Sequence, residues 1–266
     1  MSPFWVKHEI CPTLPPKISM RLFGLIGYPI GHSFSKQYFT EKFAREGIAD
    51  ARFELFPLEH IADLPALISA HPNLYGLSVT IPHKESVIPY LDELDDTARA
   101  IGAVNSIKIE NGRMKGFNTD AIGFENALNA IDEGRWLAGG IEALVLGTGG
   151  ASKAAGYVLK KRGISVRFVS RRPAGDDQVS YASLRDEASL PALIINATPL
   201  GTWPDVEKCP DLPFERLSPK HLVFDLIYNP AETLLLRKAK AQGSTTKNGL
   251  EMLQLQAEAS WRIWNS

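Results

Sequence analysis

One run constrains the fold of this chain more than any other: Glu142-Ala143-Leu144-Val145-Leu146-Gly147-Thr148-Gly149-Gly150-Ala151-Ser152. A short apolar strand breaks into a glycine turn, and the turn opens a helical tract from Lys153 to Arg162. Gly163 closes that helix and Ser165 to Ser170 reads as a second strand. Strand, turn, helix and strand within ~30 residues make a βαβ unit, which belongs in a parallel sheet. Ser152 stands at the third glycine position, so the G-x-G-x-x-G pattern is weak by itself and its context carries it. Bare glycines let the backbone approach a pyrophosphate, which sits where the helix leaves its first N–H groups unpaired. The competing reading is a tight turn with no ligand.

The end of the second strand distinguishes between dinucleotides. An NAD site places an acid there, ~20 residues past the glycines, to bind the ribose hydroxyls. This chain has Ser170-Arg171-Arg172-Pro173 instead. Two guanidiniums suit a 2′-phosphate and can stack on adenine, so NADP(H) is the expected cofactor. Further strands follow at Leu193 to Pro199 and Leu222 to Tyr228, then a helix from Glu232 to Gln242. Asn248-Gly249-Leu250 opens a closing helix with Leu253, Ala257, Trp261 and Trp264 at helical intervals, a stripe that reads as core. Periodicity leaves open whether Gln256 faces a ligand or solvent.

Upstream the same alternation recurs: a buried strand Arg21 to Tyr28, a helix from Lys36 to Glu46 ended by Gly47, a strand Ala51 to Phe56, a helix around Ile61 to Ile68 and a strand Leu74 to Ile81. Alternating strands and helices predict an α/β fold with mainly parallel sheet. Pro82 cannot donate to a ladder, so it ends its strand and delivers Thr80 and Lys84 to the sheet mouth, where α/β enzymes place their chemistry. Lys84 is read as the proton-handling residue of a nicotinamide-dependent dehydrogenase, against the plainer reading of a surface lysine. Ser33 and Ser35 precede a helix: one can cap it, or both can bind an anion such as a carboxylate. Asn111-Gly112 between two strand-like runs signals a hairpin. Asp120 closes Asn118-Thr119-Asp120 just before a helical tract. As residue chemistry alone it reads first as that helix's cap and second as the edge of a site.

Composition narrows the classes. A chain of 266 residues with 44% hydrophobic and 22% charged residues can bury the cores of two modest domains. Its net charge of -1 gives no electrostatic case for nucleic acid or a membrane as partner. Two cysteines, Cys11 and Cys209, make no disulfide framework, and no Cys/His cluster has metal-ligand spacing. No apolar run reaches a membrane span, and the cytoplasm is the simplest compartment. Residues 1–19, which include Pro12, Pro15 and Pro16, are expected either to be a disordered extension or to precede a natural start at Met20; they receive no function.

Taken together, the stretches GYPIGHSFS, GLSVTIPHK, GAVNS, GFNTD, GTGGAS, INATPLGT, FDLIYNP and NGLEMLQLQA, in this order, resemble the shikimate dehydrogenase family from about Met20 to about Trp264. The resemblance implies two α/β domains: a substrate domain of 20–122 plus 249–266, completed by the returning C-terminal helix, and a Rossmann-type NADP-binding domain of 123–248, with the site between them. It implies reversible reduction of 3-dehydroshikimate to shikimate by NADPH, with Lys84 and Asp120 as catalytic pair. An adjacent carboxylate favours the charged lysine, so Lys84 is expected to enter the reducing direction as an ammonium. Ser33 and Ser35 would bind the substrate carboxylate. Thr80, Asn105, Asp120, Tyr228 and Gln256 would face the ring hydroxyls and reacting centre. Gly147, Thr148, Gly149, Gly150 and Ala151 would hold the pyrophosphate, Ser170, Arg171 and Arg172 the 2′-phosphate, and Leu226 and Gly249 the nicotinamide surroundings.

The chain departs from the family pattern at three places. Lys36 replaces a common proline, Ser78 a common asparagine, and Gly175 a common basic residue beside the phosphate clamp. A quinate/shikimate dehydrogenase with relaxed substrate or cofactor use is the rival within the class, and a non-catalytic NADP(H) sensor the rival outside it. The expected assembly is a monomer or homodimer.

Overall fold

The computed structural model describes residues 20–31, 33–131, 136 and 140–266. The 1–19 extension with Cys11, His32 of the serine loop, and Gly139 of the Gly139-Gly140 pair lie outside the described residues. Two six-stranded sheets organise the chain.

The first sheet begins with Arg21–Gly27 (β1), Phe34–Glu46 (α1), Ala51–Pro57 (β2), Leu64–Ala70 (α2) and Leu74–Val79 (β3). β1 pairs in parallel with both β2 and β3, as strand–helix alternation requires. Next come the one-turn His83–Ser86 (α3), Glu93–Leu94 (β4), Asp96–Ile101 (α4) and the hairpin strands Ser106–Glu110 (β5) and Arg113–Phe117 (β6). β5 runs antiparallel to β3 and β6, so the sheet order is β2-β1-β3-β5-β6-β4. Asn111 and Gly112 have φ of 52° and 77°, the paired left-handed residues that a two-residue hairpin needs.

Several element bounds shift from the expected ones. The strand expected from Leu193 to Pro199 ends at Asn196, that from Leu222 to Tyr228 ends at Asp225, and the helix expected from Glu232 to Gln242 spans Leu234–Ala241. Three further shifts lie nearer the site. β3 ends at Val79 rather than Ile81: the Thr80 N–H still donates to Ile26, but the Ile81 carbonyl already turns to Tyr28. α1 begins at Phe34 rather than Lys36, because Ser33 holds extended backbone and its Oγ accepts from the Ser35 N–H at 3.2 Å. The reading of Asp120 as a cap is corrected at Thr119–Asn129 (α5). The cap is Asn118, whose Oδ1 accepts from the Ala121 N–H at 3.1 Å while its Nδ2 donates to the Ala103 carbonyl at 2.8 Å. Asn118 is the last residue before the helical turn, and that leaves the Asp120 carboxylate free for other side chains.

The second sheet holds Glu142–Leu146 (β7), Gly150–Lys161 (α6), Ser165–Ser170 (β8), Gln178–Ser180 (β9), Leu193–Asn196 (β10), Leu222–Asp225 (β11), Leu234–Ala241 (α7) and Thr245–Lys247 (β12). Its order is β12-β11-β10-β7-β8-β9, with every pair parallel. Central strands β7, β10 and β11 are apolar almost throughout because helices cover both faces.

Leu250–Trp264 (α8) then returns to the first sheet. Its Trp264 ring lies flat on Gly76 of β3, where an added Cβ would meet the indole at 2.6 Å, and stacks on Phe23 at 5.2 Å. Gly123 lets α5 and α8 close on each other, since a Cβ there would meet the Met252 carbonyl at 2.6 Å. On the other side, Phe124 of α5 stacks on Phe224 of β11 at 5.5 Å, and one buried cluster runs from Ile101 and Ala103 to Val145 and Phe224. Each such aromatic or aliphatic side chain contributes roughly 1.5–3 kcal/mol on burial. α5 is therefore packed against both halves.

Among the described residues no helix is long and apolar enough to cross a membrane. Nor does any group of three His, Cys, Asp or Glu among them stand ready to hold a metal ion.

Candidate active site

The site is built where β3, the β5–β6 hairpin, α5 and α8 meet the N-terminus of α6. Lys84 sits in α3, directly after the strand exit that Pro82 enforces. Its Nζ donates to Asp120 Oδ2 at 2.6 Å, with the lysine side chain 18% and the aspartate side chain 8% exposed. Asp120 Oδ1 accepts from Asn105 Nδ2 at 2.9 Å. Both carboxylate oxygens are thus engaged, one by a cation and one by an amide, which fixes the plane of the carboxyl group.

Asn105 is itself held. Its Oδ1 accepts from the Thr119 N–H at 2.6 Å, and its Nδ2 reaches Thr119 Oγ1 at 2.9 Å and Gln256 Oε1 at 3.3 Å. Thr119 Oγ1 also lies 3.0 Å from Ser260 Oγ. Gln256 therefore faces this polar cluster rather than bulk solvent. Thr119 and Ser260 are wholly buried. Neither stands out in the sequence as an individual position. A signal for Ser260 is nevertheless present, since it follows Gln256 by four residues and so shares its helix face.

The remaining candidates approach from two sides. Ser33 and Ser35 stand half-buried at the N-terminus of α1, and Tyr228, from the loop after β11, packs on the adjacent Phe34 with centroids 5.8 Å apart. α1 is tied to α8 by Lys42 Nζ, 2.8 Å from Glu258, and by the Tyr38 hydroxyl donating to the same carboxylate at 2.5 Å. Burial, then the Glu258 carboxylate, raises the Tyr38 hydroxyl above its ordinary range. The serines and Gln256 are thereby held on one frame. Thr80 is half-buried and its carbonyl accepts from the His83 N–H, one residue before Lys84. Of the departures, Ser78 is buried in the ladder opposite Ser106, Lys36 makes a surface ion pair with Glu54 at 2.7 Å, and Gly175 lies in an exposed turn.

The nucleotide side fits a dinucleotide on its own geometry. Gly147 has φ of 105°, a conformation that favours glycine. Gly149 precedes α6 with no side-chain cap, and a Cβ there would meet nothing within 4 Å, so no side chain covers the start of this 12-residue helix from that position. Beneath this turn Ser152 Oγ is buried with no hydrogen-bond partner among the described residues. Arg171 and Arg172 are exposed, with no ion-pair partner for either among the described residues, and the Arg172 N–H donates to Ser170 Oγ at 3.1 Å. Gly249 lies hard against Leu226, which an added Cβ would strike.

The loop that carries Leu226 and Tyr228 is braced by Asp225, which the sequence does not mark out. Asp225 Oδ1 accepts from Asn196 Nδ2 at 2.9 Å and the Ile227 N–H at 3.1 Å, and Oδ2 accepts from Thr233 Oγ1 at 2.6 Å. Burial pushes its carboxyl up to about 6, against the pull of those three donors.

A sequence model described as "Shikimate dehydrogenase substrate binding domain" matches residues 25–107. Over its length the chain is 36% identical to the shikimate dehydrogenase (NADP(+)) of Desulforamulus reducens, covering 91% of this chain and 88% of that one. The chain belongs to the shikimate dehydrogenase family. Among solved members, shikimate dehydrogenase 1 from Peptoclostridium difficile superposes with a TM-score of 0.83 at 33% identity, covering 92% of each chain. The Thermus thermophilus enzyme, solved in complex with NADP(H) and shikimate, gives 0.80 at 33% identity, covering 92% of this chain and 93% of that one. The two-sheet α/β architecture is thus the family's.

Proposed function

We propose that this chain is an NADP-dependent shikimate dehydrogenase that reversibly reduces 3-dehydroshikimate to shikimate. The observation that carries the reading is the 2.6 Å contact between Lys84 and Asp120, set among buried amide and hydroxyl groups at a sheet mouth and beside the uncapped N-terminus of α6. Membership of the family and the NADP-liganded relative support the choice of substrate and cofactor.

In this assignment Gly147, Thr148, Gly149, Gly150 and Ala151 bind the pyrophosphate, and Ser170, Arg171 and Arg172 the 2′-phosphate. Leu226 and Gly249 border the nicotinamide. When bound, NADPH supplies the hydride that the ketone carbon accepts. Ser33 and Ser35 bind the substrate carboxylate, and Thr80, Asn105, Tyr228 and Gln256 its ring hydroxyls. The Lys84 ammonium stabilises the charge that develops on the ketone oxygen and transfers a proton to it, leaving a neutral amine that solvent reprotonates. Asp120 holds the ammonium in line and accepts from a substrate hydroxyl. The substrate domain comprises 20–122 and 249–266 and the nucleotide domain 123–248; the enzyme works in the cytoplasm as a monomer or homodimer.

The test is an activity matrix of shikimate and quinate against NADP⁺ and NAD⁺, followed by reduced-nicotinamide absorbance. Turnover confined to shikimate with NADP⁺ is expected. Comparable quinate or NAD⁺ turnover would identify a broader quinate/shikimate enzyme, and NADPH binding without any turnover would identify a sensor.

A further inference from the structure

α3, the segment that carries Lys84, is a single turn of four residues and cannot hold its own shape. It needs anchors, and those on the substrate side are visible. The His83 ring lies 2.6 Å from the Leu58 carbonyl, and the Lys84 carbonyl accepts from the Val104 N–H at 2.7 Å. The Lys84 side chain then spans four methylenes before it reaches Asp120, and a stem of that length is pinned only by what packs along it.

That packing comes from the nucleotide half. A Cβ placed on Gly150, the first residue of α6, would lie 3.1 Å from Lys84 Cβ and 3.2 Å from Lys84 Cδ. The lysine stem therefore lies on the bare backbone of the pyrophosphate turn. Beside it, in the first turn of α6, Lys153 Nζ donates to Glu85 Oε2 at 2.5 Å. Glu85 is the neighbour of Lys84, so this ion pair fastens α3 to the same helix turn that offers its free N–H groups to a phosphate.

We infer that Glu85 and Lys153 are positioning residues for Lys84: their ion pair, across the bare Gly150, seats the lysine stem on the first turn of the nucleotide-binding helix. The glycine at 150 thus serves two neighbours, the phosphate that approaches its N–H and the lysine that lies on its Cα. Seating the proton donor and presenting the cofactor helix become one arrangement. A donor displaced by an ångström or so loses much of its effect on rate, so a weak surface pair can matter here beyond its small contribution to stability.

The inference rests on the shikimate dehydrogenase reading for its kinetic arm only. Glu85→Gln and Lys153→Met are each expected to lower kcat by about three- to tenfold, with KM for shikimate and NADP⁺ within about twofold of wild type. The charge reversal Glu85→Lys/Lys153→Glu should recover most of the loss. If Lys153 served the phosphates alone, Lys153→Met would raise KM for NADP⁺ while Glu85→Gln changed nothing, and the inference would be wrong. A second measurement needs no turnover: acetylation of Lys84 in the ligand-free chain, read by peptide mass spectrometry. It should quicken in both single variants and slow again in the reversal; equal rates in all four proteins would overturn the inference. A wild type without shikimate turnover would count against the functional reading, and the labelling would still decide the pair.

Discussion

Lys84 and Asp120 sit 36 positions apart in sequence and 2.6 Å apart in space, and no intrahelical or turn geometry explains their meeting. Each carries a different part of the proposed chemistry. Lys84→Ala removes both the charge beside the ketone oxygen and the proton donor, so kcat should fall by about 10²–10⁴-fold with a smaller change in KM. Steady-state kinetics at saturating NADP⁺ measures this, and a loss of only a few-fold would refute the role. Asp225 makes a prediction about stability instead. Its folded carboxyl titrates at about 6, above the ordinary value of 3.8, because burial penalises the charge. An acid raised in this way contributes stability that is fully present below its unfolded value and lost as pH rises through about 6. A shift of this size corresponds to on the order of 3 kcal/mol. The stability difference between wild type and Asp225→Asn, taken from urea unfolding between the two values, should therefore move against the wild type as pH rises; a pH-independent difference would contradict it.

At the scale of elements, the close approaches decide which helices can carry the site. Trp264 lies on Gly76, and the same helix presents Gln256 and Ser260 to Asn105 and Thr119. Gly76→Ala would force its Cβ to within 2.6 Å of the indole. Overpacking of this kind costs about 1–3 kcal/mol, and the displaced α8 should carry Gln256 with it. The expected result is a lower urea midpoint together with a raised KM for shikimate; unchanged values of both would show that the helix accommodates the methyl group. The same scale separates what the sequence discloses from what it conceals. The βαβ unit from Glu142 to Ser170 is legible because glycine turn, helix and strand are consecutive and each has its own local signal. β4, β9 and β12 are not, since strands of two or three residues are too short to show a period. In sequence the cap of α5 reads as Asp120, whereas in the structure Asn118 takes it. The point at which β6 leaves the sheet decides it, and that is a tertiary fact.

For the whole molecule, the two halves are legible to different degrees. The central βαβ unit of the second sheet reads almost directly, and the arginine pair stands exposed at the end of β8. Around the first sheet, Ser33, Ser35, Thr80, Lys84 and Asp120 stand out by residue chemistry, and Asn105 and Tyr228 through the family resemblance. The contact between the buried hydroxyls of Thr119 and Ser260, by contrast, depends on α8 folding back from the far end of the chain. The arginines give the prediction proper to this scale, a choice of cofactor made far from the reacting carbon. Arg171→Ala and Arg172→Ala should each raise KM for NADP⁺ by about tenfold, as expected for losing a charge-assisted hydrogen bond, and leave NAD⁺ turnover unaltered. The effect should shrink in high salt. Equal losses with both cofactors would assign the arginines to structure instead.

The return of α8 also sets an order in time. The helix is made after every strand of both sheets, yet its 15 residues bring the partners that Asn105 and Thr119 require. During synthesis the all-parallel second sheet has all six of its strands by Lys247, while the polar cluster of Asn105 and Thr119 still lacks its α8 partners. A nascent chain stopped after β12 would accordingly hold every strand of both sheets and none of the α8 side chains that Asn105 and Thr119 contact.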